Sequence, residues 1–185
     1  MQHQTAVSIR PYELTDVPAL YEAARESVET VHPWLPWCHP AYTSDEARTW
    51  VERQVSTFQA GKEFNFVISS EKGTFLGGCG LNGIDQTDRR ANLGYWVRST
   101  ATGRGAATAA TQLLVQWAFQ NTDLIRLEVV VSTKNLASLR VAERAGAVRE
   151  GILRNRLLLH GEPHDAIMLS FVRDPNVAAH PAGTG

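Results

Sequence analysis

The chain has 185 residues, 43% of them hydrophobic and 20% charged, with 18 basic against 19 acidic side chains and a net charge of -1. This balance excludes disordered, collagen-like and coiled-coil chains, and it lacks the basic excess of a general nucleic-acid binder. The length favours one domain, 1–185, able to bury roughly 70% of its unfolded surface without disulfide or metal staples.

In chain order, residues 6–12 (AVSIRPY) predict a first strand. A helix opening at Thr15 runs through TDVPALYEAARESVETV, with Pro18 in its first turn and Val17, Leu20, Ala24 and Val28 on one stripe. The Pro-rich stretch 32–42 (HPWLPWCHPAY) predicts an aromatic loop. Ser44 is placed as the cap of a second helix, with acids at its start and Gly61 at its end. Strands are predicted at 63–70 and 74–84, joined by a Glu71-Lys72-Gly73 hairpin turn, and then at 90–98. A Gly-rich turn, 99–108, opens a helix to about Asn121. Strand 124–132 and helix 135–145, ending near Gly146, come next. A last antiparallel pair, 148–159 and 164–172, is joined by HGEP. The order makes a mixed α/β domain on one sheet, with a core at about 7–172 and a mobile tail at 173–185.

Cys38 and Cys79 stand far apart with no CxxC, which points to a reducing compartment. With six scattered histidines they assemble no metal site. The N-terminus has no signal pattern and no apolar run is long enough for a membrane helix, so a cytoplasmic protein with no membrane partner is expected. Fifteen of the eighteen cations are Arg. Arg forks onto phosphates and carboxylates, although base composition alone produces the same bias.

The most informative stretch is Leu93 to Phe119, which reads strand, Gly-rich turn, helix. A helix N-terminus presents unpaired N–H groups and a positive dipole end, suited to a pyrophosphate. Gly103 and Gly105 allow close backbone approach. Ala106, Ala107, Ala109 and Ala110 keep the first turns free of bulk, Arg104 adds a cation, and no acid competes there. The plainer reading is a helix start packed on a sheet. A Walker loop is excluded because Gly105 is followed by Ala-Ala. A dinucleotide fingerprint is excluded because Thr108 stands where a third small residue is needed.

With this turn the chain resembles the GNAT acetyltransferases, and within them the RimJ/RimL-like branch that acetylates protein N-termini. Thr102-Gly103-Arg104-Gly105-Ala106-Ala107 is similar to the family's Gln/Arg-x-x-Gly-x-Gly/Ala motif. Thr102 replaces Gln/Arg, and Arg104 is expected to compensate. Leu93-Gly94-Tyr95-Trp96-Val97, Asn135-x-x-Ser138, Ala145-Gly146-Ala147, Glu150-Gly151 and the HPWLPW segment also resemble this branch. The resemblance spans about 7–172. It implies the GNAT fold: about seven strands in a mixed sheet, helices on both faces, and a splayed gap between strands 4 and 5 that takes acetyl-CoA.

The resemblance further implies which residues bind. Trp96, Val97 and Arg98 would bond pantetheine through their backbone, and a backbone N–H near Tyr95–Val97 would polarise the thioester. Gly103, Arg104, Gly105, Ala106, Ala107 and Thr108 would hold the pyrophosphate. Asn135 would hold pantetheine, or simply cap its helix. Arg140 and Arg144 either reach the CoA tail or pair on the surface. The Tyr that often protonates the departing thiolate is replaced by Ala142. Ser138 is therefore cast as hydrogen-bond donor or proton relay, against a plain helix serine.

Carboxylates that relatives carry as bases are replaced by Asn92 and, near the end, Leu157. Glu128, Glu150, Asp165, His160 and His164 remain as candidates. A water relay serving an α-amine of low pKa, about 7.7–8.0, is preferred. Trp50 and Trp117 read as core. Trp34, Trp37, Tyr95 and Asn92 are assigned to the acceptor side, with Tyr95 and Trp96 alternating across a strand expected to bulge. The expected activity is acetyl-CoA-dependent N-acetylation of a protein or peptide α-amine by a monomer or homodimer. The alternatives are a small amine acceptor (amino acid, polyamine or antibiotic) and a non-catalytic acyl-CoA-binding module.

Overall fold

In the computed structural model, residues 6–174 are described. The expected tail beyond Asp174 lies outside the described residues. Seven strands form one sheet: β1 (Val7–Pro11), β2 (Phe64–Ser70), β3 (Phe75–Asp85), β4 (Arg90–Val97), β5 (Arg126–Ser132), β6 (Val148–Leu159) and β7 (Glu162–Val172). Their order is β1-β2-β3-β4-β5-β7-β6. Only β4 and β5 pair in parallel, so the sheet is mixed.

Period-2 alternation sends side chains to two cores. Phe66, Ile68, Cys79, Leu81 and Leu93 meet α4 (Ala106–Asn121) and α5 (Leu136–Ala145) on one face. Val67 and Trp96 meet α1 (Val17–Glu26) and α3 (Ser44–Gln59) on the other. In β3 the second face carries Gly78 and Gly80, so the sheet there is bare. Tyr12 and Asn65 lie over it: a Cβ at Gly78 would stand 2.5 Å from the Tyr12 hydroxyl, and one at Gly80 would stand 1.9 Å from Asn65 Oδ1.

The first predicted helix is broken. A 3-10 turn covers Leu14–Asp16, α1 ends at Glu26, and a short α2 (Val28–Val31) follows Ser27. Ser27 is fully buried and its Oγ accepts a bond from the Ser99 backbone, a tertiary tie that periodicity does not reveal. The α3 cap is Thr43, not Ser44. Its Oγ1 accepts from the Glu46 N–H at 3.2 Å, and Glu46 accepts back from Thr43 N–H at 2.9 Å, a reciprocal capping box. The last hairpin turns on His160 and Gly161 alone, with Glu162 and Pro163 already paired in β7. No bulge interrupts β4 opposite β3 from Asn92 to Val97.

Candidate active site

The β4–β5 pairing stops after Asn92 opposite Glu128, whereas β4 stays paired to β3 through Val97. Among the described residues Leu93 to Val97 therefore have no strand partner on the β5 side. Alternation fixes which amides face the gap. Arg98 N–H bonds Leu76 on β3, and the Arg89 carbonyl accepts from Ile125 on the other side. Odd-numbered residues of β4 thus point their amides towards β5. Tyr95 and Val97 offer N–H groups to the gap. The backbone of Trp96 and Arg98, expected to bond a ligand there, is spent on β3.

The gap opens into a cavity of about 1200 Å³ that reaches both faces of the sheet. On the α4–α5 side it is lined by Gly103, Gly105, Ala106, Ala107 and Thr108. Gly103 and Gly105 have φ of +73° and +81°, a left-handed conformation that side chains resist. No side chain caps α4 and its first turn holds no acid, so its leading N–H groups point at the cavity's end. Thr102 donates its hydroxyl to Ser99 O at 2.8 Å, a bond that shapes the turn.

Arg98 and Arg104 do not reach this cavity. They line a separate one of about 310 Å³ with Ser70, Thr74, Leu76 and Thr100. The Arg98 guanidinium is held by Glu22 at 3.2 Å and by Glu26. Arg140 and Arg144, which the sequence leaves between tail and surface, do line the large cavity. Among the described residues neither has an ion-pair partner.

Asn135 caps α5, its Oδ1 accepting from Ser138 N–H at 3.1 Å. The cap and a ligand-facing role are compatible, since the cap occupies only the oxygen. The Tyr95 hydroxyl donates to Ser138 O at 2.8 Å and lies 3.1 Å from Ser138 Oγ. Burial pushes the Tyr95 phenol up to about 12, more than its bond to Ser138 pulls it down. It therefore keeps its proton at neutral pH. Tyr95 thus brings a hydroxyl from β4 to the first turn of α5, a contact visible only in three dimensions.

The opposite half of the cavity is lined by Trp34, Trp37 and Asn92, as expected, and also by Trp50, which the sequence assigns to the core. Trp37 meets Trp96 edge-on at 5.3 Å. Trp117 is partly buried, its ring tilted against Phe58 and Phe64 and edge-on to Phe66. Asn92 donates to Asn82 at 3.1 Å. Leu157 lines the cavity too, so both positions read from the sequence as lacking a carboxylate open onto it.

None of the five base candidates lines this cavity. Glu128 is held by Arg90 and Arg126, and Glu150 by Arg126 and Ser170. Asp165 accepts from Asn155 N–H, His164 meets Ser132, and His160 meets the His32 carbonyl. The cavity has its own ionisable side chains, which sequence reasoning missed: His39 bonded to Glu46 at 2.9 Å, and Arg53 bonded to Glu63 at 2.9 Å. Thr43 and His39 together hold the Glu46 carboxyl below its usual range. The His-x6-Glu spacing carries no helical signal because His39 sits in the loop.

The Acetyltransferase (GNAT) domain family matches residues 7–148, about three quarters of the chain. This chain belongs to the GNAT acetyltransferases. Among its relatives, "Putative ribosomal N-acetyltransferase YdaF" of Bacillus subtilis (strain 168) is 28% identical over 90% of this chain and 91% of its own length. The ribosomal-protein-serine acetyltransferase of Escherichia coli (strain K12) is 25% identical over 85% and 88%. Among solved structures, a RimL ribosomal L7/L12 α-N-protein acetyltransferase in complex with coenzyme A superposes with a TM-score of 0.84. It is 23% identical and covers 93% of this chain and 96% of its own. The GNAT fold, with its mixed seven-stranded sheet, accounts for the gap: β4 and β5 diverge where the other strands stay paired. No helix among the described residues is long and apolar enough to cross a membrane.

Proposed function

We propose that this GNAT acetyltransferase moves acetyl from acetyl-CoA to the α-amine of a protein or peptide N-terminus. The observation that carries this reading is the single cavity through the β4–β5 gap. One half carries free helix amides and unpaired arginines, and the other half aromatic rings and carboxamides. Names of relatives that act on ribosomal proteins support the acceptor class.

Acetyl-CoA supplies a thioester, an acyl group already activated for attack by an amine. The α4 N-terminus, Arg140 and Arg144 would hold its phosphates. Arg98 and Arg104 drop to supporting positions behind the turn. Asn135 would bond the pantetheine amide. The Tyr95 and Val97 N–H groups would face the acetyl oxygen as negative charge develops there. Ser138 would donate to the departing sulfur, since the Tyr95 proton is taken by the Ser138 carbonyl. With no carboxylate at 92 or 157, the amine proton leaves through water.

A small amine acceptor is the second reading, favoured by the carboxylates of Glu46 and Glu63 on the acceptor wall. The test is release of CoA thiol with a free-N-terminus peptide, its N-blocked twin containing Lys, and a polyamine. Turnover of the first alone is expected, with mass spectrometry placing the acetyl group on the terminus. Turnover with the polyamine alone overturns the peptide reading. Activity is also expected to rise with pH through about 8 and level off by about 9, as an α-amine requires. A plateau only above about 10 marks a Lys-type acceptor.

A further inference from the structure

We infer that the Asn65 carboxamide oxygen is the group that receives the acceptor amine and holds it in its neutral form. This rests on the acetyltransferase reading and names the side chain that positions the amine. Asn65 stands on β2, opposite Gly80 on β3, which in turn pairs with Gly94 on β4. Neither glycine puts a side chain on the acceptor face, and a Cβ at Gly94 would meet nothing within 4 Å. The result is a bare strip of sheet running to the β4–β5 gap, with Asn65 Oδ1 lying over its far end. All three residues line the cavity.

The carboxamide is held in one orientation by its neighbours. Its Nδ2 donates to Gln54 Oε1 at 2.6 Å and to Glu63 Oε2 at 3.4 Å. A carboxylate only accepts, so Glu63 demands the nitrogen side of Asn65. Glu63 is itself anchored by Arg53 at 2.9 Å, and Gln54 is only 3% exposed. The chain Arg53–Glu63–Asn65–Gln54 therefore turns Oδ1 away from its anchors and over Gly80.

The chemistry suits a site with no carboxylate at 92 or 157, where the nearby Glu63 carboxylate is already neutralised by Arg53 at 2.9 Å. An adjacent carboxylate stabilises an ammonium and raises its pKa. A neutral carbonyl oxygen accepts an N–H bond with far less preference for the charged form. An amine bound to Asn65 remains easy to deprotonate, which makes a water relay sufficient. Asn65 is a positioning residue and takes no proton itself.

The test compares wild type with Asn65→Ala, Gly80→Ala and Asn65→Asp, using an acceptor peptide and acetyl-CoA. Asn65→Ala is expected to raise the peptide KM about tenfold or more while acetyl-CoA Kd stays within about twofold. Gly80→Ala retains the carboxamide but displaces its oxygen, and is expected to repeat that effect if Asn65→Ala fails to fold. Asn65→Asp is expected to shift the rising limb of the kcat–pH profile to higher pH, a change that loss of packing does not produce. Unchanged peptide KM in both alanine variants overturns the assignment, as does an equal loss of acetyl-CoA affinity. An unmoved pH profile in Asn65→Asp also overturns it. A wild type that acetylates no amine overturns the acetyltransferase-on-amine reading itself, and this assignment with it.

Discussion

At the residue scale, two hydroxyls on opposite elements meet over the gap. Tyr95 comes from β4 and Ser138 from the first turn of α5, and the Tyr95 proton goes to the Ser138 carbonyl. Ser138 Oγ is left to turn towards a ligand. Replacing Ser138 with Ala is expected to lower kcat by roughly a hundredfold, with acetyl-CoA Kd nearly unchanged in a binding titration; equal turnover removes it from the mechanism. Tyr95→Phe is expected to show a smaller kcat loss, since it frees Ser138 rather than deleting it. Tyr12 behaves oppositely. It is 5% exposed and its hydroxyl has no hydrogen-bond partner among the described residues, while its ring packs on Trp50 at 4.8 Å. A buried hydroxyl without a partner costs about 1–3 kcal/mol. Tyr12→Phe is therefore expected to raise the unfolding midpoint in urea, and a lowered midpoint would count against that account.

At the scale of elements, α1 clamps the approach to the Gly-rich turn. Glu26 accepts from Thr100 N–H at 3.0 Å and Thr100 Oγ1 at 2.8 Å, and also pairs with Arg98. Arg98 first, then Thr100, hold the Glu26 carboxyl down at about 2 from a usual 4.5. A depressed carboxyl stabilises the fold fully above pH 4.5, and that contribution is lost as pH falls towards 2. Thermal melts across this window are expected to show a steeper fall in the wild type than in Glu26→Gln. Identical slopes would remove the clamp. Gly105 matters for a different reason. Its φ of +81° makes Gly105→Ala cost about 1–2 kcal/mol, and acetyl-CoA affinity is expected to fall with the turn's geometry.

At the scale of the molecule, charge is arranged locally rather than globally. A net charge of -1 tells nothing of the site, yet Arg140 and Arg144 face the cavity without ion-pair partners among the described residues. Replacing both with Gln is expected to raise acetyl-CoA Kd and flatten its dependence on salt, while the peptide KM stays within about twofold. Unchanged salt dependence would return both arginines to the surface. Element order, the turn and Asn135–Ser138 were legible in the sequence because helix and strand periods and glycine positions are local properties. Arg104 lines the smaller cavity because the turn's motif says where a residue sits in the chain, not which side of the turn its side chain leaves, and the Arg98 amide goes to Leu76 because strand pairing, not the motif, decides it. Trp50 packs on the core as read and also lines the cavity, because the edge of a helix stripe can serve both.

The sequence by itself determined the seven strands, the helices α3, α4 and α5, the glycine positions of the turn and the resemblance to one enzyme family. All of these follow from local backbone preferences and residue spacing. Only the tertiary structure decided what faces the gap. Pairing of β4 with β3 consumes the even-numbered amides and leaves Tyr95 and Val97 free. A hydroxyl contact joins Tyr95 on β4 to Ser138 on α5 across 43 positions of chain. The bare glycines of β3 are covered only when the fold brings Tyr12 over Gly78 and Asn65 over Gly80. Each is a contact between residues distant in sequence, and no local period encodes such a contact.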